Sequence, residues 1–273
     1  MIKVSLLSIL IFLVSGCVTP AKQTEVLLLA PGNLPAFHEI KQVTFIDQTA
    51  GYCGPAALTM AMRWAGQQVS IDEVALQVYT PGMQGSLQSD LISASRRQGL
   101  MAVSISNLSS LLVEVAAGHP VIIFENLGLS WAPQWHYALV LSYDLKKQEI
   151  IMHSGHSAFY HWDLKKFERS WMLGDYWGLV VLPPGELAVS ADELANVTAA
   201  VGLEQAAKYK EAEKSYRQIL EKWPTSLVAL IGLANLAYKK GHRNEAGTLL
   251  RRAVKDHPES TAAQHNLVVV ESE

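Results

Sequence analysis

Apolar positions in this chain follow two rhythms, and the change between them falls near residue 185. Ala57, Met60, Ala61 and Trp64 recur at helical spacing, so residues 53–65 read as a helix. Pro55 falls in its first turn, where the missing N–H costs nothing. Ser70-Ile-Asp-Glu73 is a capping box and predicts a second helix ending near Tyr79. Residues 86–98 read as a third helix, stopped by Gly99. Residues 43–46 read as extended chain, and 109–117 as a short helix. Short apolar runs at 101–105, 120–124, 136–143, 149–153, 159–162 and 177–182 read as strands. Asp144-Leu-Lys-Lys turns one of them back on the next. Helices first and strands later predict an α+β domain.

Pro183-Pro184-Gly185 closes that domain, and helical spacing takes over. Ala212 and Ala246 are 34 residues apart, as are Pro224 and Pro258, Tyr216 and Leu250, and Ile219 and Ala253. A period of about 34 with alanine, a large apolar residue and a closing proline is the tetratricopeptide pattern. Asn196 and Ala200 stand where the first repeat usually has tryptophan and glycine; Leu230 and Ala234 stand in the second. The pattern predicts four main helices, with a capping helix near Asn266-Leu267. Two repeats are fewer than the roughly three that stand alone, so the module should pack on the first domain.

The N-terminus follows a different logic. Lys3 precedes an apolar run from Val4 to Val14, 11 residues long (14 − 4 + 1). That length fits a signal peptide and falls short of the roughly 20 residues of a spanning helix. The run ends in Val14-Ser15-Gly16-Cys17, which resembles the bacterial lipobox. The resemblance implies cleavage before Cys17 and diacylglycerol on its sulfur, with palmitate among the expected acyl groups. Two chains anchor more firmly than the marginal hold of one. The expected layout is a signal peptide over 1–16, a lipidated tether over 17–37, an α+β domain over 38–185 and repeat helices over 190–270. Within the tether, Leu27-Leu28-Leu29 is apolar enough to pack. The expected location is the periplasmic face of the bacterial outer membrane.

Composition narrows the classes. Hydrophobic residues make up 49%, charged residues 17%, and the net charge is −3. Neither disorder nor a nucleic-acid partner fits those values. His153, His156 and His161 lack the spacing of zinc ligands, and no cofactor is implied. Two cysteines in an exported chain raise a Cys17–Cys53 disulfide as one possibility. A lipidated Cys17 has no free sulfur, which leaves Cys53 as the one free thiol.

Cys53 opens a helix, where the macrodipole favours thiolate, the nucleophilic form. Gln48 precedes it by five residues, and His136 begins a later apolar strand in Trp135-His136-Tyr137-Ala138. This set resembles the bacteriocin-leader-type peptidases, the C39-like branch of the papain-like cysteine proteases, over roughly residues 38–182. The resemblance implies a membrane-anchored thiol peptidase acting on a peptide or protein, with a protein partner on the repeats. It implies Cys53 as nucleophile, His136 as base and then acid, and Gln48 as oxyanion donor beside the Cys53 N–H. The family usually has an aspartate on the strand after the histidine; by register Ser154 stands there. Serine can orient imidazole but offers no charge to imidazolium. His153 falls on the opposite face of that strand and Asp144 in the turn, so neither suits the role. The departure keeps open a second reading, an inactive papain-like binding module working with the repeats.

Overall fold

In the computed structural model, residues 20–48 and 51–272 are described. The signal peptide and Cys17 lie outside them. The elements in order are α1 (Lys22–Leu29), β1 (Phe37–Glu39), α2 (Cys53–Trp64), α3 (Ile71–Val78), β2 (Tyr79–Thr80), β3 (Gly85–Ser86) and α4 (Gln88–Arg97). Next come β4 (Met101–Ile105), α5 (Leu108–Ala116), β5 (Val121–Asn126), β6 (Trp135–Asp144), β7 (Glu149–Ser154), β8 (Ser157–Asp163), α6 (Leu164–Met172) and β9 (Gly178–Leu182). The helices α7 (Glu193–Gln205), α8 (Tyr209–Lys222), α9 (Leu227–Lys239), α10 (Arg243–Asp256) and α11 (Thr261–Ser272) complete the chain. The fold is thus an α+β domain followed by a helical repeat region.

Seven antiparallel strands form one sheet in the order β4-β9-β5-β6-β7-β8, with β1 on the free half of β6. All five residues of β9 are buried, so both faces of the sheet are covered there. Helix α2 packs on β5, β6 and β9, and α6 packs on β5, β7 and β8. Its capping box holds α3 in place: Ser70 accepts from the Glu73 N–H while the Glu73 carboxylate accepts from the Ser70 N–H.

Four local features adjust or add to the expected elements. Residues 43–46 lead to Gln48 outside any strand, and a further short strand lies earlier, in β1, where Phe37–Glu39 faces Asp144, Tyr143 and Ser142. The groups of 43–48 go elsewhere: the Val43 carbonyl contacts His153 Nε2, and the Ile46 N–H meets the Met60 sulfur. The expected tether contains a docked helix, α1. Buried Glu168 on α6 accepts the Gln23 and Thr24 N–H groups at 2.9 and 2.6 Å, and Leu27 enters the core. Residues 85–86 belong to a short hairpin, so α4 starts at Gln88. Finally, α6 is an additional helix. Its cap Asp163 accepts from the Lys166 N–H, and Leu164, Phe167 and Trp171 are buried at helical spacing.

The repeat helices pack consecutively, each against the next, and α7 lies against β4. Ala212, Tyr216 and Ile219 are buried, and so are their counterparts Ala246, Leu250 and Ala253. One hydrophobic core runs from the sheet through Ala188, Val197 and Leu203 to Tyr216 and Leu233. The connecting segment is held by polar groups. Asn196 accepts from the Ala188 N–H, and buried Glu114 accepts from the Ser190 N–H at 2.7 Å. His119 sits between Glu114 and Glu186, at 2.6 and 3.1 Å. Those two carboxylates raise the His119 pKa against the opposing effect of its burial.

Candidate active site

Gln48, Cys53 and His136 come from three parts of the chain and line one cavity of about 860 Å³. Cys53 is the first residue of α2, whose buried face from Gly54 to Met62 fixes that helix against the sheet. Gly54 permits the approach of β3: a Cβ there would meet the Ser86 hydroxyl at 2.7 Å. The Ser86 carbonyl in turn accepts from the Tyr137 hydroxyl at 3.1 Å. The hairpin of β2 and β3 is therefore pinned to both α2 and β6 beside the thiol.

His136 is the second residue of β6, and its Nε2 lies 3.0 Å from Ser154 Oγ. Register explains the contact. Leu139 faces His153 across β6 and β7. One step further places Ser154 opposite Ala138, and His136 becomes its diagonal neighbour on the same face. His153 falls on the other face, where Phe45 and Phe159 flank its ring and the Phe159 N–H donates to its Nδ1. Asp144 caps its own turn by accepting from the N–H groups of Lys146 and Lys147. Of the three polar residues considered as orienters, only Ser154 contacts His136.

Gln48 is fixed twice to Gly155. Its N–H donates to the Gly155 carbonyl, and its Oε1 accepts from the Gly155 N–H at 3.1 Å. Because that partner can only donate, the amide orientation is determined and Nε2 is the free end. Gln48 is only 4% exposed, yet Nε2 has no partner among the described residues. Leaving such a donor unmatched costs about 1–3 kcal/mol. Ser86 Oγ, on the same cavity, is buried without a partner as well.

The electrostatics depart from the expected thiolate. Burial raises the Cys53 pKa, while the backbone N–H groups of Tyr137, Gly54 and Cys53 pull it down less strongly. Burial also lowers the His136 pKa to about 4. No hydrogen bond joins the two among the described residues. Desolvation outweighs those backbone contacts, so both shifts favour the uncharged forms of the thiol and the imidazole.

Several cavity residues carry no signal in the local sequence. Phe124 and Trp135 stack at 5.0 Å and 15°, forming an aromatic shelf. Met83 and Leu87 line the cavity from the hairpin region, and Leu173 from the end of α6. Only the Pro81, Gly82 and Gly85 punctuation hints at that hairpin. Among the described residues no cluster could hold a metal ion, and no helix is long and apolar enough to cross a membrane.

Comparisons with known proteins follow the same division. The model of the Peptidase_C39 like family matches residues 40–176, and a tetratricopeptide repeat model matches residues 203–268. No curated protein matches the chain. A candidate C39-like peptidase from Bacillus anthracis aligns with 54% of this chain and 97% of its own, at 17% identity and a TM-score of 0.46. The double glycine motif protease of an AMS/PCAT transporter, solved with a leader peptide, aligns over 53% and 93%, at 20% identity and a TM-score of 0.41. The peptidase domain of Streptococcus ComA aligns over 50% and 96%, at 18% identity and a TM-score of 0.42. With half of its length matched by the family model, the chain belongs to the Peptidase_C39 like family and carries tetratricopeptide repeats after its α+β domain.

Proposed function

We propose that the protein is a lipid-anchored thiol peptidase of the cell envelope, with Cys53 as nucleophile and His136 as its base. The observation that carries this reading is the convergence of Gln48, Cys53 and His136 on one cavity, with Ser154 holding the imidazole from behind. With Nε2–H donating to Ser154, Nδ1 is left as the acceptor for the thiol proton. Sulfur attacks the peptide carbonyl as that proton moves to Nδ1. The oxyanion is met by Gln48 Nε2 and the Cys53 N–H, which gives the unmatched amide its partner. Collapse returns the electron pair to the carbonyl, and the leaving amine takes the proton from His136. Water, deprotonated by His136, then hydrolyses the thioester and frees Cys53.

The anchor rests on Val14-Ser15-Gly16-Cys17, read as the end of a lipoprotein signal. On this reading the protein sits at the periplasmic face of the outer membrane. The repeats supply a surface for a protein partner, as stacked helix pairs generally do.

A second reading is favoured by one set of observations: an uncharged orienter, a raised thiol and a lowered imidazole. On that reading the cavity binds peptide without cleaving it. Labelling of the lipidated full-length protein with a thiol-directed electrophile separates the two. The enzyme reading expects Cys53 to react in the unmutated protein and about tenfold or more slowly in His136→Ala. Equal rates in both would leave the binding module as the better account.

A further inference from the structure

The loop between β5 and β6 is apolar and exposed. From Asn126 through Trp135 it contains no charged residue. Trp131 is 81% exposed and Leu129 56%, with Leu127 and Trp135 also exposed. This is not slack chain. The Leu127 N–H donates to the Gln134 carbonyl, and Leu129 and Ala132 exchange both backbone hydrogen bonds. Asn126 Oδ1 accepts from the N–H groups of Gly128 and Gln134. A Cβ on Gly128 would meet the Ala132 carbonyl at 2.5 Å, so the tip is closed too tightly for a larger residue. The conformational cost of presenting Leu129 and Trp131 to a partner is therefore met within the fold.

The base of this loop and the start of the chain's first helix meet on α6. Ser170 donates to the Asn126 carbonyl at 3.0 Å. Glu168, two residues earlier, holds the N–H groups of Gln23 and Thr24. Ala21, just before α1, is buried. Cys17 precedes Ala21 by four residues, which span at most about 14 Å when extended. A lipid on Cys17 would keep the bilayer within that distance of α1, and α1 is itself fastened to the helix that holds the loop.

We propose that the face bearing the 127–135 loop and the start of α1 rests on a lipid bilayer, with Leu129 and Trp131 entering the interface. An uncharged apolar tip with tryptophan suits the headgroup boundary, where an indole has one apolar side and one wet one. The proposal rests on the lipidation of Cys17 proposed above. Because Trp135 belongs both to this loop and to the lining of the cavity, the site then opens beside the membrane. Its substrates are peptide segments lying at or emerging from the bilayer surface.

The test uses the full lipidated protein in vesicles of phosphatidylethanolamine and phosphatidylglycerol. An environment-sensitive dye is placed on Trp131→Cys or Leu129→Cys, in a Cys53→Ala background, with Leu76→Cys as the exposed control. Nitroxide-labelled lipid should quench both loop labels at least about threefold more than the label at position 76. Equal quenching at 131, 129 and 76, on protein whose intact mass includes the Cys17 lipid, overturns the proposal and leaves the anchor standing. A mature mass without lipid overturns the anchor, and the proposal falls with it. A loop label that ignores vesicles but responds to an added apolar peptide assigns the loop to peptide instead.

Discussion

The α+β domain and the repeat helices bury their side chains on different terms. In the repeats the buried positions are Ala212, Tyr216, Ile219, Ala246, Leu250 and Ala253, a periodic apolar set with few polar members. The domain instead buries Gln48, Glu114, His119, Glu125, His153 and Glu168. Eight buried polar side-chain atoms lack a partner among the described residues, and only Ser226 Oγ lies beyond the start of α7. Two of the others belong to Gln48 and Ser86, which line the cavity that holds Cys53. The stacked helices bury a mostly apolar set with one unmatched polar atom. The domain keeps more polar atoms that folding alone leaves unmatched, two of them on residues of its cavity.

The contrast is broken most directly at Gln48. If its free amide serves the oxyanion, Gln48→Ala should lower kcat for peptide cleavage by about 10²–10³-fold with little change in KM. Its melting temperature should hold or rise. A stability loss without a kinetic one would make Gln48 an ordinary core residue. In the repeats the opposite signature is expected. Leu250→Ala removes a fully packed side chain and should cost about 2–5 kcal/mol in chemical denaturation. Electrophile labelling of Cys53 under native conditions should stay unchanged.

A third test uses pH. Burial raises the Glu125 pKa to about 7, because the Ser170 hydroxyl offsets only part of the lost hydration. Above about 4.5 the unfolded carboxyl ionises while the folded one keeps its proton, so this group makes stability fall as pH rises to about 7. His136 acts with the opposite sign. Its folded pKa of about 4 lies below the ordinary 6.5, so the unfolded chain binds the extra proton and stability rises with pH between those values. Glu125→Gln should leave the rise, and His136→Ala should leave the fall. Urea denaturation across pH 4–8 reads both, with slopes up to about 1 kcal/mol per pH unit. Identical curves for the two variants would contradict the opposed signs. The smallest effect is expected at Ser154. Ser154→Ala removes one neutral hydrogen bond and should slow cleavage by about tenfold or less, whereas Ser154→Asp should restore an orienting charge and raise the rate.

The two halves also differ in how far they can be read from sequence. Repeat contacts are local and periodic, so the offset of 34 between Tyr216 and Leu250 was visible without a structure. In the domain, α2 and the capping box of α3 were equally plain. Helix α6 was legible too, from Asp163 and the spacing of Leu164, Phe167 and Trp171, but the neighbouring strand pattern obscured it. Helix α1 was not, since its hold on the domain depends on Glu168, more than 140 residues away. The Gln48–Cys53 spacing marks a candidate site only through family resemblance. That these residues and His136 share a cavity depends on long-range packing. The direction of the Cys53 shift is not legible in the sequence either, because helix position is local information and desolvation is not.

The contact of α7 with β4 bears on how the domain should be handled in the laboratory. β4 is the terminal strand of the sheet, and Met101, Ala102, Val103 and Ile105 on it are all buried in the full chain. Cutting the gene after Leu182 would take α7 away and leave a flat apolar border with open backbone groups, the kind of edge that recruits other sheets. A minimal domain prepared that way should precipitate or self-associate. Keeping α7 to α11 leaves that border covered, and the full chain should associate less than the shortened one.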